Sequence, residues 1–146
     1  MYVIDASVLV ADIRPREPHH QEARAFLKRV AAEGWPVYLP IIVLAEIAAA
    51  VSRGTGEPTL ARRLVDVVQR IPHFELVSLD EELGQLAAAL AADYQIRGCD
   101  AVYVALAWKR GAKLITLDHQ QRERVPPKVT ARSPAEELSQ LEEAGR

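Results

Sequence analysis

The chain alternates between two kinds of apolar pattern, and that alternation constrains its fold more than any other feature. Five short apolar runs are predicted as buried strands: Tyr2 to Asp5, Val37 to Leu39, Phe74 to Ser78, Lys113 to Thr116 and Lys128 to Ala131. The stretches between them follow helical periods. Ala23, Phe26, Leu27 and Val30 keep the i, i+3, i+4, i+7 spacing of one helix face. So do Leu60, Leu64, Val67, Val68 and Ile71, and again Leu83, Leu86, Ala87, Leu90 and Tyr94. Ile41 to Val51 and Ala101 to Trp108 are apolar nearly all round, which predicts helices buried on more than one side. Pro40 is expected to close the second strand, and Gly54-Thr55-Gly56-Glu57-Pro58 to separate two helices. Ser133-Pro134-Ala135-Glu136 reads as an N-cap, a proline at the first helical position and a capping-box glutamate. It opens a polar final helix to about Glu143. Strands alternating with helices imply an α/β/α sandwich, a parallel sheet covered on both faces.

No repeat or linker divides the 146 residues, so one domain is expected over 1–146, with its core at about 2–131 and the polar helix at about 133–143. At 49% hydrophobic residues the chain can bury a sizeable core without staples. Its single cysteine, Cys99, allows no internal disulfide, which suits a cytoplasmic location. No apolar run approaches the roughly 20 residues of a membrane helix, and no leader pattern opens the chain. A net charge of −2 gives no general attraction to polyanions. A nucleic acid would have to be held by a local basic patch or by bound cations.

In open α/β sheets ligands bind beyond the carboxyl ends of the strands, near a switch in strand order. Asp5 ends the first run and Asp118 follows the fourth, so both are expected at that edge. Each also has a plainer reading as a helix cap. Asp100 opens an apolar helix, where the helix dipole favours an acid in any case. Glu46 is the only charged residue between Gly34 and Arg53, and its helical neighbours are Ile42, Val43, Ala49 and Ala50. An unpaired carboxylate there would be costly to bury, and the structural alternative is an ion pair with Arg97 or Arg53. Should the four acids converge, like charges about 4 Å apart repel by roughly 4 kcal/mol per pair at an effective dielectric near 20. Cations or protons are then needed. All-oxygen ligation suits Mg²⁺ or Mn²⁺ and not Zn²⁺, and two such ions can drive an in-line displacement at phosphorus. Ser7 and Thr116, each two residues from an acid, are candidate supporting hydroxyls or simple local caps.

Four segments then carry a resemblance. Val3-Ile4-Asp5-Ala6-Ser7-Val8-Leu9-Val10 resembles the first motif of PIN domains, and Leu44-Ala45-Glu46-Ile47 the second. Arg97-Gly98-Cys99-Asp100 running into Ala101 to Ala107 is similar to the third, and Leu114-Ile115-Thr116-Leu117-Asp118 to the fourth. The wording is closest to VapC-type toxins of toxin–antitoxin pairs. The resemblance implies a five-stranded parallel sheet and an endoribonuclease needing Mg²⁺ or Mn²⁺ at Asp5, Glu46, Asp100 and Asp118. It also implies a homodimer and a small antitoxin whose tail occupies the active groove.

Other chemistries lack their residues. No glycine-rich turn follows the first strand, and no phosphate-cradling loop with a lysine occurs. A phosphatase Asp-x-Asp pair fails because position 7 is serine. A phosphoacceptor domain could use Asp80 but leaves Glu46 and Asp100 idle. The histidines at 19, 20, 73 and 119 lack metal-ligand spacing and read as surface residues, and Cys99 reads as a small packing residue. Trp35, Tyr103 and Trp108 read as core or dimer-contact residues. Arg14, Arg16, Arg53, Lys109, Arg110, Arg122 and Arg124 are candidate phosphate contacts. The non-enzymatic rival is an interaction module whose acidic pocket binds a basic partner segment.

Overall fold

Burial orders the sheet. In the computed structural model, which describes residues 1–145, β1 (Tyr2–Ile4) is buried along its whole length and lies in the middle. Around it β2 (Val37–Pro40), β3 (Phe74–Val77), β4 (Lys113–Ile115) and β5 (Ala131–Arg132) complete a five-stranded sheet of order β3-β2-β1-β4-β5. Every pairing is parallel, with Val3 opposite Tyr38 on one side and Leu114 on the other. The fifth strand differs from expectation. Lys128 to Thr130 stay outside it, and only Ala131 and Arg132 pair with Leu114 and Ile115. Pro40 ends β2 from within, as its last residue.

Among the described residues eight helices join and cover the strands. Between β1 and β2 run α1 (Ala6–Ile13) and α2 (His20–Glu33), and between β2 and β3 run α3 (Ile42–Thr55) and α4 (Pro58–Gln69). The return across the sheet is made by α5 (Glu81–Tyr94) and α6 (Gly98–Arg110), and α7 (His119–Arg124) leads to β5. α8 (Pro134–Ala144) packs on α2, capped by Ser133 with the expected capping box. Residues Ala101 to Ala107 of α6 are all buried, as its uniform apolarity requires. Each large aliphatic side chain buried this way contributes roughly 1.5–3 kcal/mol. Among the described residues no helix is long and apolar enough to cross a membrane.

α3 departs from its sequence pattern in two ways. Only Val43, Ile47 and Val51 are buried, one face, while Ala45 and Ala49 stay exposed. An alanine-rich surface leaves little apolar area in water, so this face can remain open. The helix also continues through Gly54 and Thr55. It stops at Gly56, whose φ of 71° is the left-handed conformation that glycine adopts without strain.

Strand order reverses beside β1: β2 and β3 extend one way, β4 and β5 the other. The crevice at the carboxyl ends of β1 and β4 is therefore the switch point.

Candidate metal centre

Asp5 follows β1 directly. Its backbone N–H donates to Ile115 O at 2.9 Å, which ties it to β4, and its side chain caps α1 by accepting from Ser7 N at 3.1 Å. Thr116 Oγ1 donates to the same oxygen, Oδ2, at 3.2 Å and accepts from Asp118 N at 3.1 Å. Ser7 Oγ accepts from Leu117 N at 3.2 Å. The two hydroxyls thus stitch the ends of β1 and β4 together and fix both aspartates. Asp5 is only 5% exposed. Burial pushes its carboxyl above the usual range; hydrogen bonds from Ser7 draw it back, and the charge of Asp100 raises it again.

Asp118 caps α7, with Oδ1 accepting from Gln121 N at 3.0 Å. The capping readings of Asp5 and Asp118 are therefore both realised, yet each cap leaves carboxylate oxygen facing the crevice. Asp100 stands in the first turn of α6 and caps nothing. Arg97, 73% exposed, bridges the two: Nε donates to Asp100 Oδ2 at 2.9 Å and Nη2 to Asp118 Oδ2 at 2.6 Å. Burial raises the Asp100 carboxyl, Arg97 lowers it, and the charge of Asp118 adds to the rise.

Glu46 projects from mid-α3 and pairs with neither Arg97 nor Arg53. Its Oε1 accepts from the hydroxyl of Tyr103 at 2.7 Å. Burial raises its carboxyl, the Tyr103 hydrogen bond lowers it, and Asp5 and Asp100 push it up again. The Tyr103 hydroxyl is itself held far above its ordinary value, first by burial and then by the charges of Asp5 and Glu46. Tyr103 is thus a site neighbour that its apolar helix concealed. Its position three residues after Asp100, on the same helix face, was the available signal.

All four acids line one cavity of about 480 Å³, with Ser7, Arg53 and Arg97 also on its wall. A separate apolar cavity of about 340 Å³, lined by Leu27, Leu64 and Ile71 among others, lies away from them. Among the described residues no three His, Cys, Asp or Glu side chains already stand close enough to hold a metal ion. The donor set still fits a hard divalent cation: it is all carboxylate, partly dehydrated, and already bridged in part by the Arg97 guanidinium. The four histidines stay apart from this site: His19 and His119 pair with Glu22 and Glu123, His20 meets Ala11 O, and His73 stacks on Phe74. Cys99 is exposed, not the packing residue its size suggested. Asp80 caps α5.

The fold is thus a five-stranded parallel α/β/α sandwich with an acidic crevice at its switch point. The model of the PIN domain matches residues 2–125, and the chain belongs to that family. Among curated proteins no sequence matched. Solved structures share the fold. VapBC2 from Rickettsia felis, bound to a DNA fragment from its promoter, superposes with a TM-score of 0.70 at 17% identity, covering 90% of this chain and 97% of that one. FitAcB from Neisseria gonorrhoeae gives 0.70 at 21% identity, over 92% and 99%. VapC20 from Mycobacterium tuberculosis, described as a toxin cleaving the sarcin–ricin loop, gives 0.71 at 18% identity, over 89% and 99%.

Proposed function

We propose that this chain is an endoribonuclease that hydrolyses RNA phosphodiester bonds with Mg²⁺ or Mn²⁺ held by Asp5, Glu46, Asp100 and Asp118. The observation that carries the reading is the convergence of these acids, from four separate elements, on one cavity at the switch point. PIN family membership supports it, and so do the fold neighbours described as toxin–antitoxin proteins. By the same likeness the chain acts as the toxin of a type II pair, as one unit over residues 1–146. A small antitoxin is its partner, and it works as a homodimer in the cytoplasm.

Divalent cations would supply activation of a water and stabilisation of the leaving oxygen at phosphorus. The chain's own residues do the positioning. Ser7 and Thr116 hold Asp5 at the strand edge, so its ligand geometry is fixed before any cation arrives. Tyr103 occupies one oxygen of Glu46 and leaves the other to orient the attacking water. Burial gives Glu46 a raised proton affinity, which suits it to draw a proton from that water. Arg97, displaced from Asp100 and Asp118, is free to neutralise phosphate.

One observation favours a second reading. A guanidinium already sits between Asp100 and Asp118, so an arginine of a partner segment suits the same pocket, and the chain would then be a binding module with weak catalysis. Incubating the purified, partner-free protein with RNA and Mg²⁺ or Mn²⁺, with and without EDTA, separates the two. Cleavage that EDTA abolishes supports the nuclease. No cleavage with either metal would leave the binding module.

A further inference from the structure

The acidic crevice does not end at the acids. It continues as a trough between α1 and α3. On α1, Ser7 and Val10 share one face, with Arg14 following as the extended C-cap, and on α3 Glu46, Ala49, Ala50 and Arg53 share one face. Ser7, Val10, the alanines and Arg53 line the same cavity as the carboxylates. The small, exposed alanines make an open floor. Arg53 closes its far end: Nε donates to Ala49 O at 3.3 Å, and among the described residues no carboxylate pairs with its guanidinium.

Arg14, the extended C-cap residue of α1, lies over this end of α3, just outside the residues that line the cavity. A Cβ added to Gly54 would stand 2.5 Å from Arg14 Nη1, so this guanidinium lies directly over the one residue of α3 that has no side chain. Glu17, 3.2 Å away, steadies it. The Arg14 guanidinium thus lies over the residue next in sequence to Arg53, at the outer end of α3. Seven residues of helix separate Glu46 from Arg53, about 10 Å at 1.5 Å per residue. An extended nucleic-acid strand covers that span in one or two nucleotides.

We propose that Arg14 and Arg53 form a phosphate clamp that binds the single-stranded RNA backbone one or two nucleotides from the bond cut at the carboxylates, with Gly54 as the seat that places Arg14. The inference rests on the ribonuclease reading and extends it to the path of the substrate. The trough is floored by alanine methyl groups. It therefore suits a strand held by its phosphates and offers little for reading bases.

The test is equilibrium binding of a fluorescein-labelled single-stranded RNA to the full chain by anisotropy. Ca²⁺ replaces Mg²⁺, so that affinity is read apart from cleavage, and salt is varied. Arg14→Gln and Arg53→Gln should each weaken binding several-fold and flatten the salt dependence by about 0.7 per lost phosphate contact. Arg29→Gln, on α2, removes the same charge elsewhere and should leave the salt slope unchanged. Gly54→Ala changes no charge but pushes Arg14 aside. It should melt no lower than the parent, since alanine is the better helix former, yet bind RNA more weakly. Wild-type affinity and slope in the Arg14→Gln, Arg53→Gln double variant, beside a parent that binds and cuts RNA, would overturn the clamp and leave the ribonuclease standing. A parent that neither binds nor cuts RNA would overturn both.

Discussion

The hydroxyl of Tyr103 donates a 2.7 Å hydrogen bond to Oε1 of Glu46, joining residues 57 apart in the chain. Tyr103 is fully buried in α6 and Glu46 half-buried in α3, so the bond locks a carboxylate to the core at the mouth of the crevice. Tyr103→Phe keeps the ring and removes the donor. Stability is expected to fall by about 1–2 kcal/mol, the usual consequence of leaving one partner of such a bond unmatched, as read by denaturant unfolding. RNA cleavage should fall further than stability accounts for, and its pH profile should shift upward because the hydroxyl holds the Glu46 carboxyl down. An unchanged pH profile would remove Tyr103 from the site.

Much of the architecture was readable from the sequence, because β1, Leu114-Ile115 of β4 and Ala101 to Ala107 of α6 are apolar without interruption and Asp5, Asp118 and Asp100 stand close beside them. The unread parts have physical causes. Tyr103 sits in a helix buried all round, where nothing in the pattern separates a ring that packs from one that also donates. The ion pair with Arg97 or Arg53, the structural alternative for Glu46, rested on its apolar neighbours, but alanines left in solvent leave it half-hydrated. β5 pairs through only two residues, neither fully buried, so Lys128 to Thr130, with a buried Val129, gave the stronger apolar signal one turn too early.

Asp5 ties metal-free stability to pH. Its folded carboxyl is raised, chiefly by burial, so between the unfolded value of about 3.9 and the raised one the native state holds the extra proton. Stability should therefore decline as pH rises through that window. Glu46 and Asp100 act with the same sign. Asp5→Asn removes its share, and in EDTA the variant should melt no lower than the parent at neutral pH. A clear loss of stability would mean that the α1 cap outweighs the burial of charge.

Glu137 behaves oppositely. This fully buried residue of α8 accepts from Tyr2 Oη at 2.9 Å, Lys113 Nζ at 2.8 Å and Arg132 Nη1 at 2.6 Å. Burial alone would raise its carboxyl, but those donors together bring it below the usual range. Its contribution is thus complete above the unfolded value of about 4.3 and lost as pH falls through the folded one. Glu137→Gln should destabilise by about 2–3 kcal/mol, under the range for a fully buried pair because Lys113 and Arg132 remain partly hydrated. Equilibrium unfolding at neutral and acidic pH measures both. Mn²⁺ affinity should not change, since Tyr2 and Lys113 begin their strands, at the edge opposite the crevice.

Arg97 competes with any cation for Asp100 and Asp118. The Arg97 side chain is largely in water although its two acids are not, so Arg97→Gln should alter metal-free stability by only about 1 kcal/mol. Titration with Mn²⁺, followed by melting temperature or calorimetry, should show tighter binding in the variant. Weaker binding would mean that Arg97 organises the acids for the ion instead of standing in for it.

Among the described residues the Glu46 carboxylate has no hydrogen-bond or ion-pair partner but Tyr103, and no structural task that glutamine cannot share. Glu46→Gln can accept the same hydrogen bond and strands no cation. Thermal stability and Mg²⁺- or Mn²⁺-dependent RNA cleavage should be measured on one purified sample of this variant. The expected result is cleavage reduced by orders of magnitude at a melting temperature equal to or above the parent's. Parental cleavage rates in Glu46→Gln, at the same metal concentration, would contradict the metal site proposed here.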